Sequence, residues 1–292
     1  GGHSWRMFNL RGTVKLFAFD PVQPKTIYAV RYRQRRRTDA GESWKLVWPR
    51  PSTIQGIRMS SDHADETIVS DQNALGQIVA LAIDPTDSRT LVAGAVKDAT
   101  TFAGIAKGGK AAVFLSRDEG ATWTKVRDLA EAPRKIWIDP RSDKGSRDLY
   151  VAGDSGMTVR VHGQWKNRPA PKGTVFNDIS AGFPGTRGIV IYASSQAGVL
   201  VSRDGGASWS ASPLPGSGAR VRAVATSLKH PDSAYASYSH LQLDGATWMG
   251  VARTRDGGRS WTLVWKEDKT VGANIHDAWM SEDFGPDWGE NP

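Results

Sequence analysis

A short motif recurs along this chain, and internal repetition of this kind constrains the fold more than any other feature of the sequence. Three copies share the order hydroxyl residue, any residue, Asp, any residue, Gly, any residue, hydroxyl residue, Trp, and they span 116–123, 202–209 and 254–261. A fourth copy at 38–44 lacks the first hydroxyl, because Arg37 stands in its place. We interpret each copy as a tight hairpin in which the Asp accepts hydrogen bonds from the amides of its own turn and the Gly supplies a positive φ.

The Asp and the Trp of each copy are predicted to be structural, the Asp closing the turn and the Trp anchoring the hairpin. These residues are Asp39, Asp118, Asp204 and Asp256, with Trp44, Trp123, Trp209 and Trp261. Short apolar stretches flank the copies, for example Gly198 to Val201 before the second and Thr262 to Trp265 after the third. The motif is therefore expected to join two adjacent antiparallel strands.

A second element lies upstream of the motif and consists of an apolar strand, a turn that contains Pro, and a second strand that ends in small residues. Asp20-Pro21, Asp84-Pro85 and Asp139-Pro140 mark this turn, and His230-Pro231 occupies the same place in a later repeat. Together the two elements predict four strands per repeat. We place repeats at about 11–48, 77–127, 133–168, 172–212 and 219–266, with 49–76 as an insertion and 270–292 as a partial repeat.

Repeats of this size with four strands bury both faces of their sheets only against neighbouring repeats. We therefore predict an all-β fold, a β-propeller of four-stranded antiparallel blades joined internally by Asp-box hairpins. About five blades are visible with the start of another, and residues 1–292 are expected to form a single propeller domain or a propeller fragment.

With these motifs the chain resembles the Asp-box (BNR repeat) β-propeller superfamily, which includes sialidases, xyloglucan-active endoglucanases and sortilin-type receptors. The resemblance covers nearly the whole chain. Since members usually carry about six to eight blades or more, it implies a partial ring here, or closure by a partner chain. It also implies that the Asp-box turns lie on the face opposite to the one that binds ligands.

The resemblance does not identify a subfamily. The arginine motif of sialidases ends in Pro, whereas neither Arg6 nor Arg11 is followed by such a Pro. Xyloglucan-active enzymes carry a catalytic aspartate in a Thr-Asp-x-Gly-Gly motif. The segment of this chain that is most similar begins at Thr38-Asp39, but it has Glu42 in place of the second glycine.

The resemblance implies a ligand face built by loops that lead into the innermost strands and by loops that join the second and third strands. The first set lies at about 49–77, 127–135, 169–178, 212–220 and 266–278, and the second at about 95–111, 153–157, 194–197 and 238–248.

The candidate catalytic residues lie in two of these loops. Asp62, His63 and Asp65 form the group richest in ionisable side chains, which could supply a general acid or base or hold a divalent cation. His276 and Asp277 are the second candidates. A glycosidase needs two carboxyl groups, about 5 Å apart for retention and further apart for inversion, and Asp62 with Asp277 is the candidate pair. The alternative is that both segments are ordinary hydrogen-bonded turns.

Five other residues are predicted to contact a substrate. Pyranose faces pack well on indole rings, and polar side chains in the same loops could complete a pocket. The predicted residues are Asp154, Tyr238, His240, Trp248 and Trp279. The alternative is that the aromatic members are plain packing residues.

Composition excludes several classes of site. The absence of cysteine excludes disulfides, thiolate metal sites and cysteine nucleophiles. The net charge of +8 suits an acidic partner or simply solubility. The run Arg31 to Arg37 lacks the interleaved aromatics of a single-strand groove apart from Tyr32, so no nucleic-acid partner is predicted. No stretch approaches a membrane span, no cofactor is predicted, bound Ca²⁺ is possible but not indicated, and the oligomeric state is left open.

From these observations we predict an exported propeller, extracellular or periplasmic, from which a signal peptide has already been removed. It is expected to be carbohydrate-active and similar to glycoside hydrolases, with a polysaccharide or other glycan as its partner. An enzyme of this kind would be a glycoside hydrolase or a polysaccharide lyase, but whether the chain is an enzyme is left open. The alternative is a non-catalytic propeller scaffold that binds protein or polysaccharide.

Overall fold

The computed structural model describes residues 16–30, 34–37, 45–48, 75–97, 100–102, 105–107, 109–185, 188–216, 220–241 and 247–267. Within these ranges the chain is all β, with no helix. It divides into two compact units. The first comprises Gly1–Asp154 with Thr158–Asn167, and the second comprises Ser155–Met157 with Arg168–Pro292.

The first unit holds three described sheets, each a four-stranded meander in which consecutive strands pair antiparallel. The first sheet comprises β1 (Leu16–Phe19), β2 (Ile27–Val30), β3 (Gln34–Arg37) and β4 (Lys45–Trp48). The second begins with β5 (Gln77–Asp84) and β6 (Asp87–Lys97), is interrupted by a separate hairpin of β7 (Thr100–Phe102) and β8 (Ile105–Lys107), and ends with β9 (Lys110–Ser116) and β10 (Thr124–Leu129). The third comprises β11 (Lys135–Ile138), β12 (Leu149–Ala152), β13 (Gly156–Val161) and β14 (Gln164–Pro169), and the division between the units passes through its last two strands.

The second unit holds two described sheets of the same kind. One comprises β15 (Phe176–Gly182), β16 (Val190–Ser195), β17 (Gly198–Ser202) and β18 (Ser210–Ser212). The other comprises β19 (Arg220–Thr226), β20 (Ala234–Leu241), β21 (Thr247–Thr254) and β22 (Thr262–Lys266).

The fold class predicted from the sequence is confirmed: the chain is an all-β protein built from four-stranded antiparallel blades of the β-propeller type. Each described sheet falls within one of the five predicted repeats, apart from the last residue of β14 and the last two residues of β10. Most of the predicted insertion and the whole of the partial repeat at 270–292 lie outside the described residues. The single-domain assignment over residues 1–292 stays a prediction.

The core lies between adjacent sheets, because the middle strands carry apolar residues on both faces. In β6, Leu91, Val92 and Ala93 are all completely buried. Ala93 packs in a cluster with Val30 of the first sheet, whereas Val92 packs in a cluster with Ile138 of the third. Side chains of a strand alternate between faces, so a continuous apolar run is what a blade needs when it has a neighbour on each side.

The three Asp-box hairpins in the described residues share one hydrogen-bond pattern. In the hairpin that joins β21 to β22, Asp256 Oδ1 accepts bonds from the Thr254 hydroxyl at 2.7 Å and from the Ser260 amide at 3.0 Å. Its Oδ2 accepts a bond from the Ser260 hydroxyl at 2.5 Å, and Thr254 Oγ1 accepts one from the amide of Gly258. The equivalent bonds recur around Asp118 and Asp204. These three aspartates therefore close turns, while Asp39 and Trp44 lie outside the described residues.

The tryptophan of the Asp-box hairpin packs against the preceding sheet rather than only against its own. Trp261 is 8% exposed and meets the ring of Tyr192, on β16, edge to face at a centroid distance of 6.1 Å. In the first unit Trp123 likewise packs in a cluster with Tyr28 of the first sheet. The hairpins therefore connect neighbouring blades.

A buried ion pair connects the second and third sheets within the first unit. Arg147, 5% exposed at its side chain, donates from Nε to Asp84 Oδ2 at 2.6 Å and from Nη2 to Asp84 Oδ1 at 3.2 Å. The same guanidinium also donates to the carbonyl oxygens of Pro140 and Ser142 and to the hydroxyl of Thr86. This bidentate and fully bonded arrangement is what makes a buried arginine tolerable.

Candidate functional site

An open groove of about 650 Å³ lies between the two sheets of the second unit. Its lining residues are Asn177, Ser195, Gln196, Arg220, Val221 and Arg222. They come from β15, from the turn between β16 and β17, and from the start of β19. In a meander the Asp-box turn and the β16–β17 turn lie at opposite ends of the sheet. The groove is therefore at the end away from the Asp-box hairpins, and three of the predicted ligand-face loops contribute residues to it.

Two β-bulges place side chains at this groove. The register of β15 shifts between Phe176 and Asp178, which leaves Asn177 as the extra residue, and the register of β19 shifts between Val221 and Ala223, which leaves Arg222. Bulges insert one unpaired residue, bend the strand and re-aim its side chain. Both extra residues are exposed.

The bulges are required by the core beneath them. Phe176 and Ile179 are both completely buried although they are three residues apart, and Val221 and Val224 are both 3% exposed at the same spacing. Strict alternation would send residues three apart to opposite faces. An extra residue between them restores both to the core and turns the intervening polar side chain outwards.

Hydrogen bonds fix the bulge and the strand beside it. Ser194 Oγ accepts a bond from the Asp178 amide at 2.9 Å. The carboxylate Oδ2 of Asp178 accepts the Val224 amide at 3.0 Å, and Ser180 Oγ accepts the Thr226 amide at 3.1 Å. Side chains of β15 thus accept hydrogen bonds from two amides of β19, the first strand of the next sheet. Without these bonds β19 would be an open sheet edge.

The turn between β16 and β17 presents Gln196 to the groove. Ser195 is buried, and its hydroxyl donates to the Gly198 carbonyl at 3.1 Å and accepts the Ala197 amide at 3.1 Å. Gly198 has φ of 109°, a conformation that favours glycine. The rigid turn leaves the Gln196 side chain exposed.

The groove is cationic. Arg220 and Arg222 are exposed, and neither guanidinium has an ion-pair or hydrogen-bond partner among the described residues. Two other arginines of this unit are hydrogen-bonded: Arg203 donates to the carbonyl oxygen of Gly257 and Arg168 to that of Asp204. Of the lining residues within the described part of the chain, none carries a carboxylate.

Two of the predicted substrate-binding residues are buried in this structure. Tyr238 and Trp248 are 2% and 8% exposed and meet edge to face at 5.5 Å between ring centroids. The Tyr238 hydroxyl donates to the Pro215 carbonyl at 3.0 Å, and burial raises the pKa of Tyr238. His240, on β20, is paired in register with Trp248. A contact between these residues and a substrate stays a prediction.

Asp154 lies in the first unit, in the loop between β12 and β13. It is half-exposed and forms an ion pair with Arg134 Nε. That Asp154 binds a substrate stays a prediction.

The candidate catalytic residues, Asp62, His63, Asp65, His276 and Asp277, lie outside the described residues, as does Trp279. Their proposed convergence stays a prediction. Among the residues that the structure does describe, no group of three or more His, Cys, Asp or Glu side chains is arranged to hold a metal ion. Within the same part of the chain, no helix has the length and apolarity needed to cross a membrane.

Sequence reasoning missed the residues that line the groove. None of Asn177, Gln196, Arg220 and Arg222 stands in a recognisable motif. The pattern that points to two of them is the spacing of the buried apolar residues in β15 and in β19, three apart instead of two, which indicates a bulge and hence an outward-facing polar residue between them.

Comparison with known proteins identifies a fold and no family. No protein-family model matches this chain, and no curated protein matches it significantly. Among solved structures, a GH74 enzyme from Niastella koreensis is similar over 86% of this chain and 38% of its own, with a TM-score of 0.55 at 15% identity. YCF48 bound to D1 peptide is similar over 90% of this chain and 73% of its own, with a TM-score of 0.53 at 16% identity. Dipeptidyl peptidase 4 from Porphyromonas gingivalis covers 90% of this chain and 41% of its own, with a TM-score of 0.50 at 9% identity.

These likenesses support the β-propeller fold. The chain spans well under half the length of the GH74 enzyme and of the peptidase. Since the three proteins differ in function, the shared fold does not select among activities, and function must be argued from the site.

Proposed function

We propose that this chain is an exported, carbohydrate-active propeller of the Asp-box superfamily, and that the groove between β15 and β19 holds its glycan. The observation that supports this proposal is the chemistry of the lining: two exposed arginines and two exposed amide side chains surround about 650 Å³ of open space. Ligand sites rely on a few such polar groups to fix orientation, and amides and guanidinium groups bond readily to hydroxyl-rich ligands. The three Asp-box hairpins support the superfamily assignment.

Within this proposal the groove is a binding site and not a hydrolytic centre. Glycoside hydrolysis ordinarily needs two carboxyl groups that flank the scissile bond, and none of the described lining residues carries one. A hydrolase or lyase activity would need a separate centre, for which Asp62 and Asp277 remain the candidates. The fold likeness to a GH74 enzyme is compatible with such a centre but does not supply it.

The second candidate function is a non-catalytic scaffold that binds protein. The fold likeness to YCF48 bound to D1 peptide favours it. The groove itself favours a glycan, because an extended peptide that adds to a sheet needs an open edge. Beside the groove, the amides of Val224 and Thr226 are already bonded to Asp178 and Ser180.

The test is equilibrium binding of neutral and acidic polysaccharides to the wild-type chain and to a double variant, Asn177→Ala with Gln196→Ala. We expect the double variant to bind about tenfold more weakly, since each lost hydrogen bond is worth about 0.5–1.5 kcal/mol. The matched control is Asn167→Ala with Gln164→Ala, two exposed residues of the same types on β14. The proposal is wrong if no polysaccharide binds, or if the groove variant and the control bind equally well.

A further inference from the structure

The two arginines of the groove suggest a class of glycan, and this inference rests on the proposed function. We infer that the groove selects acidic glycans, with Arg220 and Arg222 binding the carboxylate of a uronate residue.

The exposure of the arginines follows from the fold. Arg222 is the extra residue of a bulge that keeps Val221 and Val224 buried, so its side chain cannot turn into the core without breaking that packing. Arg220, the first residue of β19, pairs in register with Ser239 and is also exposed. Two positive charges therefore stand two residues apart at one wall of the groove.

The nearby carboxylate in the described chain, that of Asp178, forms a hydrogen bond within the protein and no ion pair with either arginine. Asp178 follows directly after Asn177 at the groove, but its Oδ2 accepts the Val224 amide. Arg220 and Arg222 have no ion-pair partner within the part of the chain that the structure describes. Two like charges in a confined cleft raise the local potential and attract an anion, and a guanidinium matches a carboxylate with two parallel hydrogen bonds.

The remaining lining residues indicate which anion is bound. Gln196 and Asn177 present amides beside the arginines, suited to hydroxyl groups adjacent to a carboxylate. Val221, the apolar member of the lining, is 3% exposed and offers no apolar pocket to a peptide side chain. Among the lining residues that the structure describes, none carries an aromatic ring for the stacking that single-stranded nucleic acid needs. A uronate, with its carboxylate and hydroxyls on one ring, satisfies all of these groups.

The experiment uses two polymers with the same sugar backbone: polygalacturonate, whose carboxylates are free, and the same polymer fully methyl-esterified, which carries no charge. We expect the wild-type chain to bind polygalacturonate about tenfold or more tightly than the ester at moderate salt, because a guanidinium–carboxylate pair is lost in the ester. Arg220→Gln with Arg222→Gln should abolish this preference while leaving binding to the ester. The control, Arg255→Gln with Lys229→Gln, removes the same charge from exposed sites at the other end of the same sheet and should keep the preference.

Four outcomes count against the inference. It is overturned if both polymers bind equally well, if the preference survives in the groove variant, or if the control loses it. It is also overturned if poly-glutamate or single-stranded DNA binds with the affinity of polygalacturonate. These results differ from failure of the proposed function, in which neither polymer binds and the substitutions at Asn177 and Gln196 have no effect.

Discussion

The indole Nε1 of Trp261 donates a hydrogen bond of 2.7 Å to Ser212 Oγ, 49 residues earlier in the chain. Ser212 is the last residue of β18, and its hydroxyl in turn donates to the Gly258 carbonyl of the Trp261 hairpin. The Asp-box hairpin of one blade is thus fastened to the outer strand of the blade before it. The polar end of the ring is satisfied while its body packs on Tyr192.

Trp261→Ala should destabilise the second unit by about 3–5 kcal/mol, because it removes a buried aromatic side chain and leaves a cavity. Chemical denaturation measures this change. Trp265→Ala is the matched control, since that indole is 53% exposed and four residues away, and it should cost about 1 kcal/mol or less. Equal losses in the two variants would show that the contact with Tyr192 contributes nothing specific.

The Asp256 carboxylate should titrate unusually low. The hydroxyl and amide of Ser260, followed by the Thr254 hydroxyl, donate to it and hold the pKa of Asp256 well below its usual range. A depressed folded-state pKa contributes stability above the unfolded pKa, and that contribution is lost as pH falls through the folded pKa. Ser260→Ala should therefore raise the pKa of Asp256 towards 3.8 and weaken the hairpin above that pH.

Carboxyl ¹³C chemical shifts followed against pH measure this titration. Ser208→Ala changes the equivalent serine beside Asp204 and should leave the titration of Asp256 unchanged. A wild-type Asp256 that titrates at its ordinary value would contradict the prediction.

Arg147→Met should destabilise the first unit by about 3–5 kcal/mol, since removing one partner leaves the buried Asp84 carboxylate uncompensated. The control is Lys125→Met, which breaks an exposed pair with Asp128 and should cost about 0–1 kcal/mol. Urea denaturation compares the two. If Arg147→Met costs no more than Lys125→Met, the buried pair is not the link that we describe.

Asp178→Ala should weaken the connection between β15 and β19, because it removes the carboxylate that bonds to the Val224 amide. The Val224 amide loses its acceptor, and a buried unsatisfied donor costs about 1–3 kcal/mol. Amide hydrogen exchange should show faster exchange at Val224, whereas Asn177→Ala, at the exposed neighbour, should leave that rate unchanged. Unchanged protection of Val224 in Asp178→Ala would refute the assignment.

Local chemistry made the hairpins predictable. The spacing of hydroxyl, Asp, Gly and hydroxyl is enough to close a turn, because all the bonding groups around Asp256 lie within seven residues, from Thr254 to Ser260. The groove, in contrast to the hairpins, is formed by residues that are far apart in the sequence. Arg222 and Asn177 are 45 positions apart in the chain, and nothing in the local sequence indicates that they line the same groove.

The same distinction separates the candidate aromatic residues. Trp248 and Trp265 are both tryptophans on neighbouring strands of one sheet, yet one is 8% and the other 53% exposed. As residue types, both tryptophans are equally suited to stacking on a sugar ring. Only the face of the sheet on which each ring lies, and the presence of Tyr238 across from Trp248, decides which is core.

The sequence by itself determined the four-stranded repeat, its Asp-box hairpins and the propeller class, because turns and strand periodicity depend on residues close together in the chain. The tertiary structure decided which blade each tryptophan anchors, where the bulges fall, and that two arginines stand beside two amides in one groove. Those facts depend on contacts between residues far apart in the chain, which form only when the core between neighbouring sheets is filled.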